Sequence, residues 1–165
     1  LNSDGSEAEM CGNGVRLFAK YVYERGYTTE RDLEIETLAG IMRPRLQVHG
    51  GSVTGVRVDM GAPRLARSEI PMKGPDQSRV VNEPLRVGGR RYRITAVSMG
   101  NPHCVLFVDD VDRTKVEEIG PAIEHHDLFP RRTNVEFVQV LGENELTMRV
   151  WERGAGETLA CGTGA

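Results

Sequence analysis

Asn2-Ser3-Asp4-Gly5-Ser6-Glu7-Ala8-Glu9-Met10-Cys11-Gly12-Asn13-Gly14 finds a second copy of its plan near the far end of the chain, in Glu157-Thr158-Leu159-Ala160-Cys161-Gly162-Thr163-Gly164. Setting Cys11 on Cys161 also aligns Glu7 with Glu157, Gly12 with Gly162 and Gly14 with Gly164. Each copy places a thiol ahead of a Gly-x-Gly turn. There, free backbone N–H groups and the positive end of a following helix can lower a cysteine's pKa and bind an anion. One cysteine in a glycine loop would ordinarily be a small buried hydrophobe. Duplication at matched positions instead argues for two thiols that act together and for two halves built alike.

After Cys11, Val15, Phe18, Ala19 and Val22 fall at helical spacing and Gly26 supplies a stop, which predicts an amphipathic helix headed by the thiol. Leu33-Glu34-Ile35-Glu36-Thr37-Leu38, Leu46-Gln47-Val48 and Val56-Arg57-Val58 alternate between breaks at Ala39-Gly40 and Gly50-Gly51, and predict three antiparallel strands. Residues 63–84 are rich in proline and charge with little periodicity, so the boundary between halves is expected near Pro63, with one half over 1–63 and the other over 64–165.

The second half opens with a hairpin, Leu85-Arg86-Val87 and 92–97, turning at Gly88-Gly89. A buried strand, Cys104-Val105-Leu106-Phe107-Val108, follows. Residues 111–126 read as helix, with a break or kink expected at Gly120-Pro121. The runs 135–140 and 146–151 then form a hairpin across Gly142-Glu143-Asn144. Each half thus combines antiparallel strands with a cysteine-headed helix, an α+β plan. A short echo pairs Val58-Asp59-Met60-Gly61-Ala62-Pro63 with Val97-Ser98-Met99-Gly100-Asn101-Pro102.

Composition narrows the function classes. The 165 residues carry 21 Lys and Arg against 24 Asp and Glu, a net charge of −3 with the signs interspersed. Nothing suggests a nucleic-acid groove or an anionic membrane surface. The cluster Arg90-Arg91-Tyr92-Arg93 reads as a solvated strand face, and no apolar run has the length of a membrane span. Three scattered cysteines make neither a disulfide framework nor a zinc-ligand spacing, which suits a reducing cytoplasm. The chain begins without methionine and stops where the second Gly-x-Gly turn should launch a helix, so both ends are expected to be trimmed.

Two thiols facing one molecule can do redox or acid/base chemistry. No C-x-x-C spacing points to a thioredoxin-like redox pair. In acid/base work, a thiolate removes a proton from one face of a carbon while a thiol delivers one to the other, inverting the centre. The carbon next to a carboxylate is a very weak acid. Helix N-termini could stabilise its anion with oriented donors, so that neither metal nor pyridoxal phosphate is needed. Asn2, Asn13, Asn101, His103, Asn134, Glu152 and Arg153 sit at predicted strand ends and turns, where a pocket between halves would gather them. Cys104, inside an apolar strand, reads as core.

The motifs Asn2-x-Asp4-Gly5-Ser6 with Cys11-Gly12-Asn13-Gly14-x-Arg16, Met99-Gly100-Asn101-Pro102-His103, Thr133-Asn134-Val135-Glu136-Phe137, and Glu152-Arg153-Gly154-x-Gly156-Glu157-Thr158-x-Ala160-Cys161-Gly162-Thr163-Gly164 together resemble the diaminopimelate epimerases. The resemblance runs the length of the chain. It implies two similar halves, each a mostly antiparallel sheet wrapped around a central helix, with the active site in the cleft between them. It implies cofactor-independent interconversion of LL- and meso-diaminopimelate, a step toward lysine and peptidoglycan, with Cys11 and Cys161 close together as the acid/base pair and His103 and Glu152 setting their protonation.

By the same resemblance Asn2, Asn101, Asn134, Glu152 and Arg153 would hold the small-molecule substrate, with Arg153 on the distal carboxylate. Gly12-Asn13 and Gly162-Thr163 would offer donors to the reacting carboxylate. No metal, nucleic acid or membrane partner is implied, and a homodimer stays open. The family also carries an N-terminal segment and a C-terminal strand that this sequence lacks. A proline or hydroxyproline epimerase of the same two-cysteine type is the nearest rival, disfavoured by the Glu-Thr-Leu-Ala approach to Cys161, the Asn-Pro-His triplet and Arg153. A catalytically silent amino-acid-binding module is the rival from another class.

Overall fold

The computed structural model describes residues 12–38 and 40–165; Asn2 and Cys11 lie outside them. These residues form two compact units, 12–61 and 62–165. In the first unit, helix α1 (Gly12–Glu24) ends as Gly26 predicts. Gly26 takes a left-handed φ of 74°, and the N–H groups of Gly26 and Tyr27 return to the carbonyls of Tyr23 and Val22 at 3.0 and 2.9 Å. This closes the last turn and satisfies carbonyls that have no partner within the helix. Val15 and Ala19 are buried, whereas Phe18 is 52% exposed, so the buried stripe is narrower than the spacing predicts.

Four strands follow where three are expected. They are β1 (Ile35–Thr37), β2 (Gly40–Met42), β3 (Pro44–His49) and β4 (Ser52–Val58), paired as two separate two-stranded sheets, β1-β2 and β3-β4. Gly40 pairs with Thr37, so β1 and β2 form a hairpin where the sequence predicts the end of a single strand. Ala19 packs with Leu46 of β3 and Val53 of β4. Lys20 Nζ donates to the Val53 carbonyl at 3.0 Å and Glu24 Oε1 accepts its N–H at 3.1 Å, clipping helix to strand.

The second unit is one six-stranded sheet in the order β10-β9-β8-β7-β6-β5. Its strands are β5 (Glu83–Val87), β6 (Arg90–Ser98), β7 (Pro102–Phe107), β8 (Asn134–Gly142), β9 (Glu145–Glu152) and β10 (Gly156–Thr158). Gly88 and Gly89, at φ 55° and 78°, make the two-residue turn expected between β5 and β6. Arg90, Arg91 and Arg93 are solvated, as the sequence suggests. The β7-β8 pair alone is parallel. It requires a crossover, which helix α2 (Val116–Glu124) supplies.

Where the sequence predicts a break or kink, α2 runs through Gly120-Pro121 without a break. Pro121 deprives only the carbonyl of Glu117, an exposed residue, of its partner. Gly120 lets the helix approach β9, since a Cβ there would sit 2.6 Å from Trp151 Cβ. Nor is the segment 63–84 a mere linker. Ile70, Met72 and Val80 join the core, and buried Arg67 ties the segment together through Ser78 Oγ (2.8 Å), the Lys73 carbonyl (2.9 Å) and the Glu83 carboxylate (2.5 Å).

Alternation along the strands sorts the sheet into two faces. One face bears Ile94, Ala96, Cys104, Leu106, Val135 and Phe137 and packs with Val116 and Ile123 of α2. Fully burying side chains of this kind contributes about 1.5–3 kcal/mol each, so this core anchors the unit. The register sends His103 of β7, Asn134 and Glu136 of β8, and Val150 and Glu152 of β9 to the other face. Further along it, Phe107, Val140 and Leu146 are exposed at 66%, 61% and 59%, which makes the sheet apolar on both sides.

Candidate active site

The strand ends of the second unit carry the polar residues that the sequence singles out. Beyond Glu152, β9 gives way to a turn and β10, and Glu157 of β10 fixes that return by a forked pair with Arg149 (Nε to Oε1, 2.7 Å; Nη2 to Oε2, 3.0 Å). The chain then reaches Cys161, which is 5% exposed, and a turn over 162–164.

Around Cys161 the side chains are joined in series. Thr163 Oγ1 lies 3.3 Å from Cys161 Sγ and accepts from Asn101 Nδ2 at 3.2 Å. Asn101 Oδ1 lies 3.0 Å from His103 Nε2, and His103 Nδ1 lies 2.6 Å from Glu136 Oε1. The backbone N–H of Gly164 also donates to the Cys161 sulfur. All five side chains in this series are buried. His103, Glu136 and Cys161 offer ligand atoms within 4.8 Å of one another, the one trio of metal-ligand type among the described residues. The 2.6 Å bond between imidazole and carboxylate and the contact of Cys161 with Thr163 make this trio a hydrogen-bonded network.

The electrostatics differ from the sequence expectation at Cys161. Burial pushes its thiol above the ordinary value, and the Glu152 and Glu136 carboxylates push it the same way. The Thr163 hydroxyl and the Gly164 N–H oppose the shift without reversing it. Desolvation and two nearby acids therefore outweigh the oriented donors that were expected to favour thiolate. Burial also raises the Glu136 carboxyl, against the opposing hydrogen bond from His103. Cys104 is fully buried in the core, as expected, and burial holds its thiol well above the ordinary value.

Asn134 braces the site. Its Nδ2 donates to the Pro102 carbonyl and its Oδ1 accepts the Arg153 N–H, both at 2.9 Å, so one amide links β7, β8 and the end of β9. Glu152 Oε1 accepts from Thr158 Oγ1, and Arg153 Nη1 donates to the Arg131 carbonyl at 3.1 Å. Asn13 and Gly12 stand in the first turn of α1, in the other unit, where Asn13 Oδ1 accepts from Arg16 Nη2. A surface concavity of about 730 Å³ on that unit is lined by Arg43, Arg45 and Arg57 and holds none of the candidate residues.

Two buried carboxylates escaped the sequence reading. Glu136 stands between Val135 and Phe137 and looks like an ordinary outward residue of an alternating strand, yet it is 0% exposed. Glu124, 3% exposed at the end of α2, accepts from Trp151 Nε1 at 2.7 Å and from the Gly154 N–H at 3.1 Å, and so holds the loop that carries Arg153. The only sequence signal for Glu136 is its place in the Thr-Asn-Val-Glu-Phe run; for Glu124 there is none.

Comparison with known proteins identifies the family and the fold. A family model described as diaminopimelate epimerase matches residues 1–66 and 95–165. Proteins named diaminopimelate epimerase from Moorella thermoacetica and Pelotomaculum thermopropionicum are each 65% identical over the whole chain, which spans 59% of their length. Among solved structures, a hydroxyproline epimerase from Agrobacterium vitis matches with a TM-score of 0.71 at 14% identity, covering 94% of this chain and 49% of that one. A probable proline racemase from Agrobacterium radiobacter matches at 0.67 and 13% identity, over 90% of this chain and 47% of the other. These two likenesses establish a shared α+β fold, and the family match goes further: the chain belongs to the diaminopimelate epimerase family.

Proposed function

We propose that this chain carries the proton-transfer residues of an isomerase that interconverts LL- and meso-2,6-diaminopimelate by two-base catalysis at the α carbon, in lysine and peptidoglycan precursor synthesis. The observation that carries the reading is the state of Cys161. It is buried beside Glu152 and Glu136 and held above its ordinary pKa, in a chain 65% identical to proteins named for this reaction. A cysteine so placed rests as a thiol, the acid of the pair. Its partner, Cys11, would be the thiolate.

In the direction that begins from this state, the Cys11 thiolate takes the α proton and the C–H bond pair passes into the adjacent carboxylate. Cys161 S–H then delivers its proton to the opposite face. Cys161 ends as thiolate and Cys11 as thiol, which is the starting state for the reverse reaction. Thr163 and the Gly164 N–H would stabilise the new thiolate, and Glu152 would favour its reprotonation. Asn2, Asn13, Asn101, Asn134 and Arg153 would hold the substrate, with Arg153 as the forked partner of the distal carboxylate. The backbone N–H groups of Gly12, Gly162 and Thr163 would face the reacting carboxylate. No cofactor enters this scheme, and a reducing cytoplasm suits its thiols.

The test is to mix the full-length protein with LL-diaminopimelate and follow the meso isomer. Conversion is expected. Inversion of free proline or hydroxyproline in its place would transfer the protein to the rival epimerase class, and binding of diaminopimelate without turnover would leave a silent amino-acid-binding module.

A further inference from the structure

His103 and Glu136 form a pair whose proton count can be read from its geometry. With Asn101 oriented so that its Nδ2 donates to Thr163, its Oδ1 faces His103 Nε2 at 3.0 Å. An amide oxygen can only accept, so Nε2 carries a proton. At the other edge of the ring, Nδ1 and Glu136 Oε1 are 2.6 Å apart, which requires a proton between them. Whether that proton sits on nitrogen or on oxygen, the pair has no net charge.

Neutrality is what the surroundings demand. The two side chains are 1% and 0% exposed, and Glu136 Oε2 has no hydrogen-bond partner among the described residues. A net negative charge there would be costly. The titratable groups around Glu136 on its own face of the sheet are His103 on β7, Glu152 on β9 and Cys161 before the turn, while Cys104 of β7 lies on the opposite face.

We propose that Glu136 is a positioning residue of the proton-transfer site. By holding His103 Nδ1 through a shared proton, it keeps Nε2–H directed at Asn101, which in turn orients Thr163 on the Cys161 sulfur. Glu136 touches neither substrate nor sulfur in this role. Gly164 is part of the same device, because a Cβ there would stand 2.5 Å from Glu136 Oε1; the last glycine of the thiol motif makes room for this carboxyl.

The inference rests on the proposed epimerase reading for its activity arm only. In full-length protein labelled with 15N-histidine, His103 Nε2 should show the shift of a protonated nitrogen, and an unprotonated Nε2 would overturn the proposal whatever the substrate. Glu136→Gln can donate an amide proton to Nδ1 and leave Nε2–H in place, so it should keep that nitrogen signature and lose less than about tenfold in kcat. Glu136→Leu removes the partner. It should scramble the ring's tautomer and lower kcat by about a hundredfold with little change in KM, the scale of a misplaced catalytic group. Wild-type kcat in a folded Glu136→Leu protein would refute the idea. So would a Gln variant that keeps Nε2–H but loses as much as Leu. If the wild type fails to act on diaminopimelate, the epimerase reading falls while the nitrogen shifts still decide the pair.

Discussion

Gly164→Ala adds one methyl group at a place where the structure leaves no room for it. The glycine is not in the left-handed region, so its backbone conformation would accept alanine, and any cost must come from contact. The new Cβ would lie 2.5 Å from Glu136 Oε1 and 3.1 Å from Cδ and Cγ of the same side chain. A free surface glutamate would swing aside, but this one is 0% exposed and bonded to His103 at 2.6 Å. Either the carboxyl gives up that bond or the turn moves off the sheet. Losing a charge-assisted hydrogen bond costs about 1.5–3 kcal/mol and overpacking about 1–3 kcal/mol. A loss of about 2 kcal/mol, or about 4–8 °C in Tm, is expected. The assay is denaturant unfolding of four full-length proteins: wild type, Gly164→Ala, Glu136→Ala and the double variant. On the Glu136→Ala background the clash has no partner, so the Gly164→Ala penalty should shrink by at least about 1 kcal/mol. An equal penalty on both backgrounds, or none in the wild type, would refute the close approach of turn and carboxyl.

Gly120→Ala should destabilise by up to about 2 kcal/mol in a thermal melt. The clash with Trp151, worth about 1–3 kcal/mol, exceeds the helix-propensity gain of about 1 kcal/mol, and a stabilised variant would contradict the packing. Cys104→Ala should cost about 1 kcal/mol near neutrality and leave turnover intact. Because burial holds the Cys104 thiol well above its ordinary value, the unfolded chain ionises first as pH rises past about 8.5; wild-type stability then falls by up to about 1.4 kcal/mol per pH unit from this group, a slope the variant should lack. Parallel stability profiles from pH 8 to 10 would contradict that reasoning. Arg153→Lys should raise KM for diaminopimelate by about tenfold with kcat nearly kept, since an ammonium cannot reproduce a forked pair with a carboxylate; unchanged saturation kinetics would remove Arg153 from the substrate.

Local signals were legible wherever the chemistry was local. The Gly88-Gly89 hairpin, the capped end of α1 at Gly26 and the burial of Cys104 follow from turn glycines and apolar alternation. The parallel pairing of β7 and β8 did not, because periodicity along a strand says nothing about which neighbour it takes. A break at Pro121 did not follow for a related reason: a proline's effect depends on whether the carbonyl it deprives is solvated, and Glu117 belongs to an exposed position. Residues 63–84 lack periodicity because Arg67 gathers them through hydrogen bonds rather than through an apolar stripe.

At the candidate site, Asn101, His103, Asn134 and Thr163 could be named from turns and motifs. Glu136 and Glu124 could not, since an acid in an alternating strand or on a helix ordinarily faces water. The direction of the Cys161 shift was also hidden in the sequence. A Gly-x-Gly turn predicts donors, and only the fold reveals the two carboxylates and the burial that outweigh them.

The most direct test of the two-thiol account is early-time deuterium incorporation in heavy water by full-length wild type and Cys161→Ala. The wild type should place deuterium mainly in the inverted isomer, because the thiol that delivers the proton has exchanged with solvent. Cys161→Ala should lose epimerisation by about a hundredfold to ten-thousandfold, while the remaining thiolate still exchanges the α proton of one isomer without inverting it. Near-normal inversion in that variant would contradict the assignment of Cys161 as the acid.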